Sequence, residues 1–167
     1  MDTDTSIKAA GCLFIQGKAA LCGYSQKYKI FSGLGGKVEH GETPVFAAWR
    51  ETLEELFDIK PPPLLILDCI EEFIYNHEHK MYGYYFKILS FDDYEKLYEL
   101  LKKHNITSPL YTNGPPPSFI DLVLERKPTE DVEVTELLVT NYHEPSAKVD
   151  PEWQNDCFSA EKIMSIL

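Results

Sequence analysis

The stretch Gly35 to Leu56, GGKVEHGETPVFAAWRETLEEL, puts three glutamates on what reads as one face of one helix. The spacing predicts that helix from Pro44 to about Leu56. Thr43 can cap it, and Pro44 stands at the first helical position, where its missing N–H costs nothing. Val45, Ala48, Leu53 and Leu56 supply an approximate inward stripe. Asp58 and then Lys60-Pro61-Pro62-Pro63 end it, because proline confines the residue before it to extended geometry. Glu51, Glu54 and Glu55 then fall at i, i+3 and i+4, so their carboxylates project together and repel one another. Arg50 can orient one of them by a bidentate contact, but one guanidinium cannot neutralise three anions. A hard divalent cation can, and Mg²⁺ favours a few carboxylates, waters and substrate phosphates over an all-protein cage. Gly35 and Gly36 leave room for a ligand to approach the backbone. A backbone carbonyl there can complete a metal shell, and Lys37 can meet a phosphate as a point charge. Taken alone, RETLEEL also reads as an ordinary solvated helix face.

Around this helix, short apolar runs alternate with turns. Residues 7–15 and 19–24 read as strands joined by the hairpin-sized Gln16-Gly17-Lys18. The run Gly33-Leu34-Gly35-Gly36 is too glycine-rich for a regular element. LLILDCIEEFIYN (64–76) and KMYGYYFKILS (80–90) read as an antiparallel hairpin with His77-Glu78-His79 at its tip. Those two histidines could hold a metal ion, but with no further ligand in view an exposed turn is the stronger reading. Tyr82, Tyr84 and Phe86 alternate onto one face, where packing is preferred and a place at a ligand pocket is the alternative. Residues 91–103 form an amphipathic helix pattern starting near Asp92 or Asp93. A Pro/Gly loop follows, then an extended run at 119–125 and a strand at 132–141. The last helix is expected to start at Ser159, with Ile163 and Leu167 inward. No repeat or linker divides the chain, so residues 1–167 read as one α+β domain.

Charge and cysteine usage narrow the function. The formal net charge is −11, and the lysines and arginines are scattered, Lys102-Lys103 being the densest pair. A protein that grips long nucleic acid needs a basic face. An acidic one meets a small anionic ligand only through cations. Four cysteines, Cys12, Cys22, Cys69 and Cys157, include no CxxC pair, which argues for reduced thiols over zinc or disulfides. No run of about 18 apolar residues predicts a transmembrane helix, and the start MDTDTSIK lacks a signal-peptide layout. The expectation is a cytoplasmic, reducing compartment and no membrane partner.

The whole spacing is more specific than its parts: Gly36, five residues, Glu42, seven residues, Arg50-Glu51, two residues, Glu54-Glu55. This resembles the Nudix box, the signature of the Nudix hydrolase family. The resemblance implies an α/β/α sandwich around a mixed sheet, with the catalytic loop-helix at 35–57. It implies hydrolysis of a nucleoside diphosphate linked to another group, dependent on Mg²⁺ with Mn²⁺ as a substitute. Glu51, Glu54, Glu55 and the Gly36 carbonyl would be metal ligands, Arg50 would hold the carboxylates in position, and Glu42 would support the loop-helix geometry. A later carboxylate is expected as base or ligand, with Glu133 preferred over Glu130 and Glu136; a solvated strand edge is the alternative for each. Phe57 stands where the family usually has Gly, and Thr52 and Asp58 occupy usually aliphatic positions. These departures put the C-terminal cap of the helix in question, not the ligands.

GLGGKVEHGET and the tail VDPEWQNDCFSAEKI are similar to the branch that hydrolyses oxidised purine nucleoside triphosphates. There Ser32 replaces the usual Asn, Trp153 would stack on a purine, and Asn155 or Asp156 would read its polar edge. Core packing is the commoner use of a large aromatic and the alternative for Trp153. The stretch 91–128 exceeds what a minimal fold of this family needs, and is expected to be an insertion that shapes substrate choice or a dimer contact. The leading expectation is cleavage of the pyrophosphate linkage in a small nucleotide, foremost a plain, modified or oxidised nucleoside triphosphate. Decapping of mRNA or hydrolysis of capped or dinucleotide substrates is a second reading, and a nucleotide-binding module without catalysis a third. Diphosphoinositol polyphosphates would need a dense basic cluster that the chain lacks. Monomer and homodimer both remain open.

Overall fold

The computed structural model describes residues 6–74, 77–129 and 131–166. Strand β1 (Ala9–Gln16) is its centre. It pairs antiparallel with β2 (Ala19–Ser25) and β4 (Leu34–Lys37), and parallel with β6 (Tyr84–Leu89). Outside these, β3 (Ile30–Ser32) and β7 (Val134–Asn141) pair with β2, and β5 (His77–Met81) pairs with β6. The result is a mixed sheet of seven strands with five helices among the described residues, α1 (Pro44–Phe57), α2 (Leu64–Phe73), α3 (Phe91–Lys103), α4 (Phe119–Leu124) and α5 (Pro151–Ile166). The mixed α+β class expected from the sequence is thereby found.

Alternation along β1 divides the core. Ala10, Cys12 and Phe14 face a large apolar cluster built with α1 to α4, while Leu13 and Ile15 face a smaller one with Trp153, Cys157 and Ala160 of α5. Successive side chains of a strand point to opposite faces, so helices cover both sides of the sheet. Leu53, Leu56 and Phe57 are fully buried. Each such side chain contributes about 1.5–3 kcal/mol by leaving water, which fixes α1 against β1 and β4.

Several expectations are corrected. Residues 64–73 are helical, not extended: Ile66, Leu67 and Ile70 recur at helical spacing and are buried, while Leu64 and Leu65 stay exposed. Glu71 then reaches back to the sheet, where it meets buried Lys87 at 2.8 Å and accepts from Trp49 Nε1. Residues 75 and 76 of that expected strand lie outside the described residues. The hairpin is therefore β5 with β6, turning at Tyr82-Gly83, and His77 and His79 sit within β5, not at a tip. Residues 119–124 form α4, started by Ser118, whose hydroxyl accepts from Asp121 N. The last helix starts at Pro151, not Ser159, because Asp150 caps it by accepting from Glu152 N. Ile163 is partly buried against the smaller core as expected, and Leu167 lies outside the described residues. The glycine run also forms a strand. A Cβ on Gly11 would lie 2.0 Å from Leu34 O, and one on Gly35 would lie 2.7 Å from Ala10 O. Close contact of β1 and β4 is what these glycines permit.

Candidate active site

Helix α1 starts as its sequence requires: Thr43 Oγ1 accepts from Phe46 N at 3.2 Å, with Pro44 at the first position. Nearly two turns in, Arg50 is the centre of a hydrogen-bond network. Its Nε and Nη2 take both oxygens of Glu42, at 2.6 and 3.0 Å. Its Nη1 reaches Glu51 at 3.0 Å and Glu54 at 3.3 Å, and Nη2 also donates to Lys37 O at 3.0 Å. Glu42 in turn accepts from Glu39 N at 2.8 Å, so it ties the loop 37–42 to the helix. The bidentate contact goes to Glu42, leaving single bonds for Glu51 and Glu54.

Glu55 is held separately, by Gly35 N at 2.5 Å. Gly36 presses on Glu51, since a Cβ there would fall 2.4 Å from the carboxyl carbon. Burial raises the pKa of Glu51 and Glu54 against the opposing pull of Arg50. Burial also lifts Glu55 well above the usual carboxylate range, against the Gly35 amide, and Glu51, Glu133 and Glu54 add to the rise. Glu133 is exposed just before β7 and lines a small pocket with Glu54, Glu55, Asp58 and Lys60. Of the downstream candidates, Glu136 is exposed on β7 and Glu130 lies outside the described residues.

The departures at the helix end have a physical account. Asp58 adopts the left-handed conformation (φ 54°) that usually belongs to Gly, and its N–H donates to Glu54 O at 2.8 Å. Phe57 is buried, edge-on to Tyr111 at 6.1 Å between ring centres. Thr52 is buried too, its hydroxyl donating to Ala48 O at 2.7 Å.

Beside the carboxylates opens a cleft of about 770 Å³ whose floor includes Gly35 and Gly36. The structure brings Ser32, Trp153, Asn155 and Asp156 together in its lining. Trp153 is buried, and its Nε1 donates to Leu21 O at 3.2 Å, so it serves as wall and core at once. Asp156 is half-buried, and burial with the nearby Glu152 and Asp150 carboxylates pushes its pKa up to about 7. Lys37 is outside this lining, its side chain exposed and its carbonyl held by Arg50.

Sequence reasoning did not single out Tyr28, Met81, Asp150 or Glu152, which also line the cleft, and it preferred packing for Tyr82 and Tyr84, which line it as well. The Gly83 turn (φ 74°) is the local signal that could have placed Met81 and Tyr82 at an exposed tip. Arg126, which reaches the end of α1, was also missed. Scanned against models of known families the chain matches none, and no curated protein matches it either.

Carboxylate oxygens are the donor type that a hard divalent cation takes. The three helix glutamates offer carboxylate oxygens, and each is raised by burial and further by neighbouring carboxylates, Glu54 by Glu39. Among the described residues no three His, Cys, Asp or Glu side chains already converge as a metal cage. Arg50 draws Glu51 and Glu54 while the Gly35 amide holds Glu55, which parts the three between two partners.

Proposed function

We propose that this chain is a Nudix-type pyrophosphohydrolase, dependent on Mg²⁺ with Mn²⁺ as a substitute, that cleaves the diphosphate linkage of a small nucleotide. The observation that carries the reading is the shared strand edge: Gly35 and Gly36 touch Glu55 and Glu51 on one side and floor the cleft on the other. A nucleotide with its base in the cleft would present its phosphates to the carboxylates. Glu51, Glu54 and Glu55, with the Gly36 backbone, would hold the ion. When bound, it would screen carboxylates from phosphates and stabilise charge developing on a phosphoryl oxygen.

The chain's own groups account for the remaining roles. Arg50 keeps Glu51 and Glu54 oriented and is itself fixed by both oxygens of Glu42. A carboxylate oxygen of Glu133, beside Glu54 and Glu55, would take the proton of an attacking water. Asp156, with a pKa of about 7, can donate to or accept from the polar edge of a base near neutrality. Trp153 bounds the base-binding wall, and Ser32 and Asn155 add polar contacts. A nucleoside triphosphate, plain or modified, is the substrate this arrangement favours.

A capped or dinucleotide substrate is the second reading. The cleft's 770 Å³ leaves room for more than one ring system, within the roughly 300–1,000 Å³ usual for small-ligand sites. Phosphate and pyrophosphate release from free nucleotides, dinucleoside polyphosphates and capped RNA separates the two. Release from the capped species alone would reverse their order.

A further inference from the structure

The C-terminal end of α1 is an unfavourable place for what it carries. Glu54 and Glu55 stand in its last turn, no basic residue accompanies them there, and the carbonyl end of a helix repels anions. The last four carbonyls of a helix also lack partners within it. Asp58 N satisfies that of Glu54, at 2.8 Å. The other three are met from the stretch 105–128. Ser108 Oγ donates to Phe57 O at 2.5 Å, Arg126 Nη1 to Leu56 O at 2.5 Å, and Arg126 Nη2 to Glu55 O at 2.6 Å.

Arg126 does something that Ser108 does not. The same Nη2 that holds Glu55 O also donates to Val134 O at 2.8 Å. Val134 follows Glu133 directly, so one planar guanidinium joins the backbone of one site carboxylate to the backbone beside another. The segment is anchored before it arrives: Tyr111 packs on Phe57, donates to Leu122 O and accepts from Arg126 Nη1 at 3.3 Å, and Lys127 N donates to Leu110 O at 2.9 Å. Arg126 directs its two terminal nitrogens at the backbone carbonyls of Leu56, Glu55 and Val134. Its Nε is buried and has no hydrogen-bond partner among the described residues. Capping alone would need only the carbonyls of α1. The bond to Val134 is superfluous for a cap and useful for a spacer.

We propose that Arg126 is a positioning residue that sets the gap between the last turn of α1 and Glu133, and that this is what the stretch 105–128 contributes to the site. The proposal rests on the reading of the glutamates as a divalent-cation site. Lysine keeps the charge but offers a single point donor in place of a planar fork, so it cannot hold both elements at once.

The test compares Arg126→Lys and Ser108→Ala in the full chain. Mn²⁺ binding without nucleotide is read by electron paramagnetic resonance, steady-state kinetics on a nucleotide that the unaltered chain hydrolyses, and folding by thermal melts. For R126K the Mn²⁺ dissociation constant rises about 10-fold or more and kcat falls by a similar factor, as for other groups that orient metal ligands. KM stays within about twofold, because the cleft is untouched. S108A loses a comparable hydrogen bond at the same helix end. Its melting temperature falls, while Mn²⁺ binding and kcat stay near those of the unaltered chain. Arg126→Gln, which lacks the charge, carries the same expectation as R126K should the lysine variant not fold.

Unchanged Mn²⁺ binding and kcat in R126K would overturn the proposal, as would equal losses in S108A, which would make the effect one of helix-end stability. If the unaltered chain neither binds Mn²⁺ nor hydrolyses any nucleotide, the reading of the site falls and this inference with it. If it does both and only R126K behaves as unaltered, the inference alone falls.

Discussion

The carboxylate corner and the cleft share two glycines yet are built in opposite ways. In the corner, Arg50 hydrogen-bonds three glutamate side chains and a carbonyl, all within the loop 37–42 and one helix. In the cleft, the lining comes from three separate stretches, residues 28–36, 81–84 and 150–156, with Ala9 between them. Tyr28 and Tyr82 stand out at 70% and 104% exposure. A network built on one shared side chain loses its geometry when that side chain, Arg50, is removed. An open wall assembled from distant segments can change one residue at little cost to the fold. The contrast assigns the chemistry to the corner and the choice of ligand to the cleft.

The largest expected effect comes from Glu54→Gln. It keeps shape while removing an anion, so turnover should fall about 10³-fold or more if the corner holds a catalytic ion. Burial raises the Glu54 pKa against the pull of Arg50, so a neutral side chain of the same shape is tolerated, and the melting temperature should stay within a few degrees of the unaltered chain. Retained turnover would move the chemistry elsewhere. Arg50→Ala should destabilise by about 3–5 kcal/mol in urea titrations, because it leaves half-buried carboxylates without their cation. A smaller loss than about 1 kcal/mol would show that the corner is not over-determined.

In the cleft the effects shrink. Trp153→Phe gives up the bond to Leu21 O and part of the buried ring, for about 1–2 kcal/mol. Asp156→Asn is a test of sign. The folded pKa of Asp156, about 7, lies above the 3.8 of an unburied aspartate, so the folded chain binds the proton more tightly. That stability is full below about pH 4 and is lost as pH rises through 7. The variant should therefore melt higher than the unaltered chain at pH 8 and alike at pH 4; the reverse order would contradict the buried environment. Tyr82→Ala, at a fully exposed tip, should leave stability within about 0.5 kcal/mol and raise KM a few-fold.

The same contrast explains what could be read from the sequence. Helix α1, its cap at Thr43 and the grouping of Arg50, Glu51 and Glu54 are local, and local spacing predicts them. Helix α2 was misread because Leu64-Leu65-Ile66-Leu67 is apolar all round, and its stripe of Ile66, Leu67 and Ile70 stands out only once Leu64 and Leu65 are known to be exposed. The start of α5 was misplaced by eight residues, 151 against 159, although Asp150-Pro151-Glu152 carries a start signal at helix-cap spacing. Ser118 and Asp121 carried a similar signal for α4. Arg126 was not legible at all. Its three carbonyl partners lie on residues 55, 56 and 134, and only the folded chain brings these together. Backbone acceptors leave no mark in a sequence, because every residue has one.

The central claim is that the carboxylate corner runs a cation-dependent cleavage of a nucleotide diphosphate linkage. The direct measurement is release of phosphate and pyrophosphate from a panel of nucleoside triphosphates, dinucleoside polyphosphates and capped RNA, with Mg²⁺, with Mn²⁺ and with chelator, for the unaltered chain beside Glu54→Gln. The prediction is release from at least one member that needs the cation and disappears in the variant. No release from any member, or release that the variant and the chelator both leave intact, would contradict the claim.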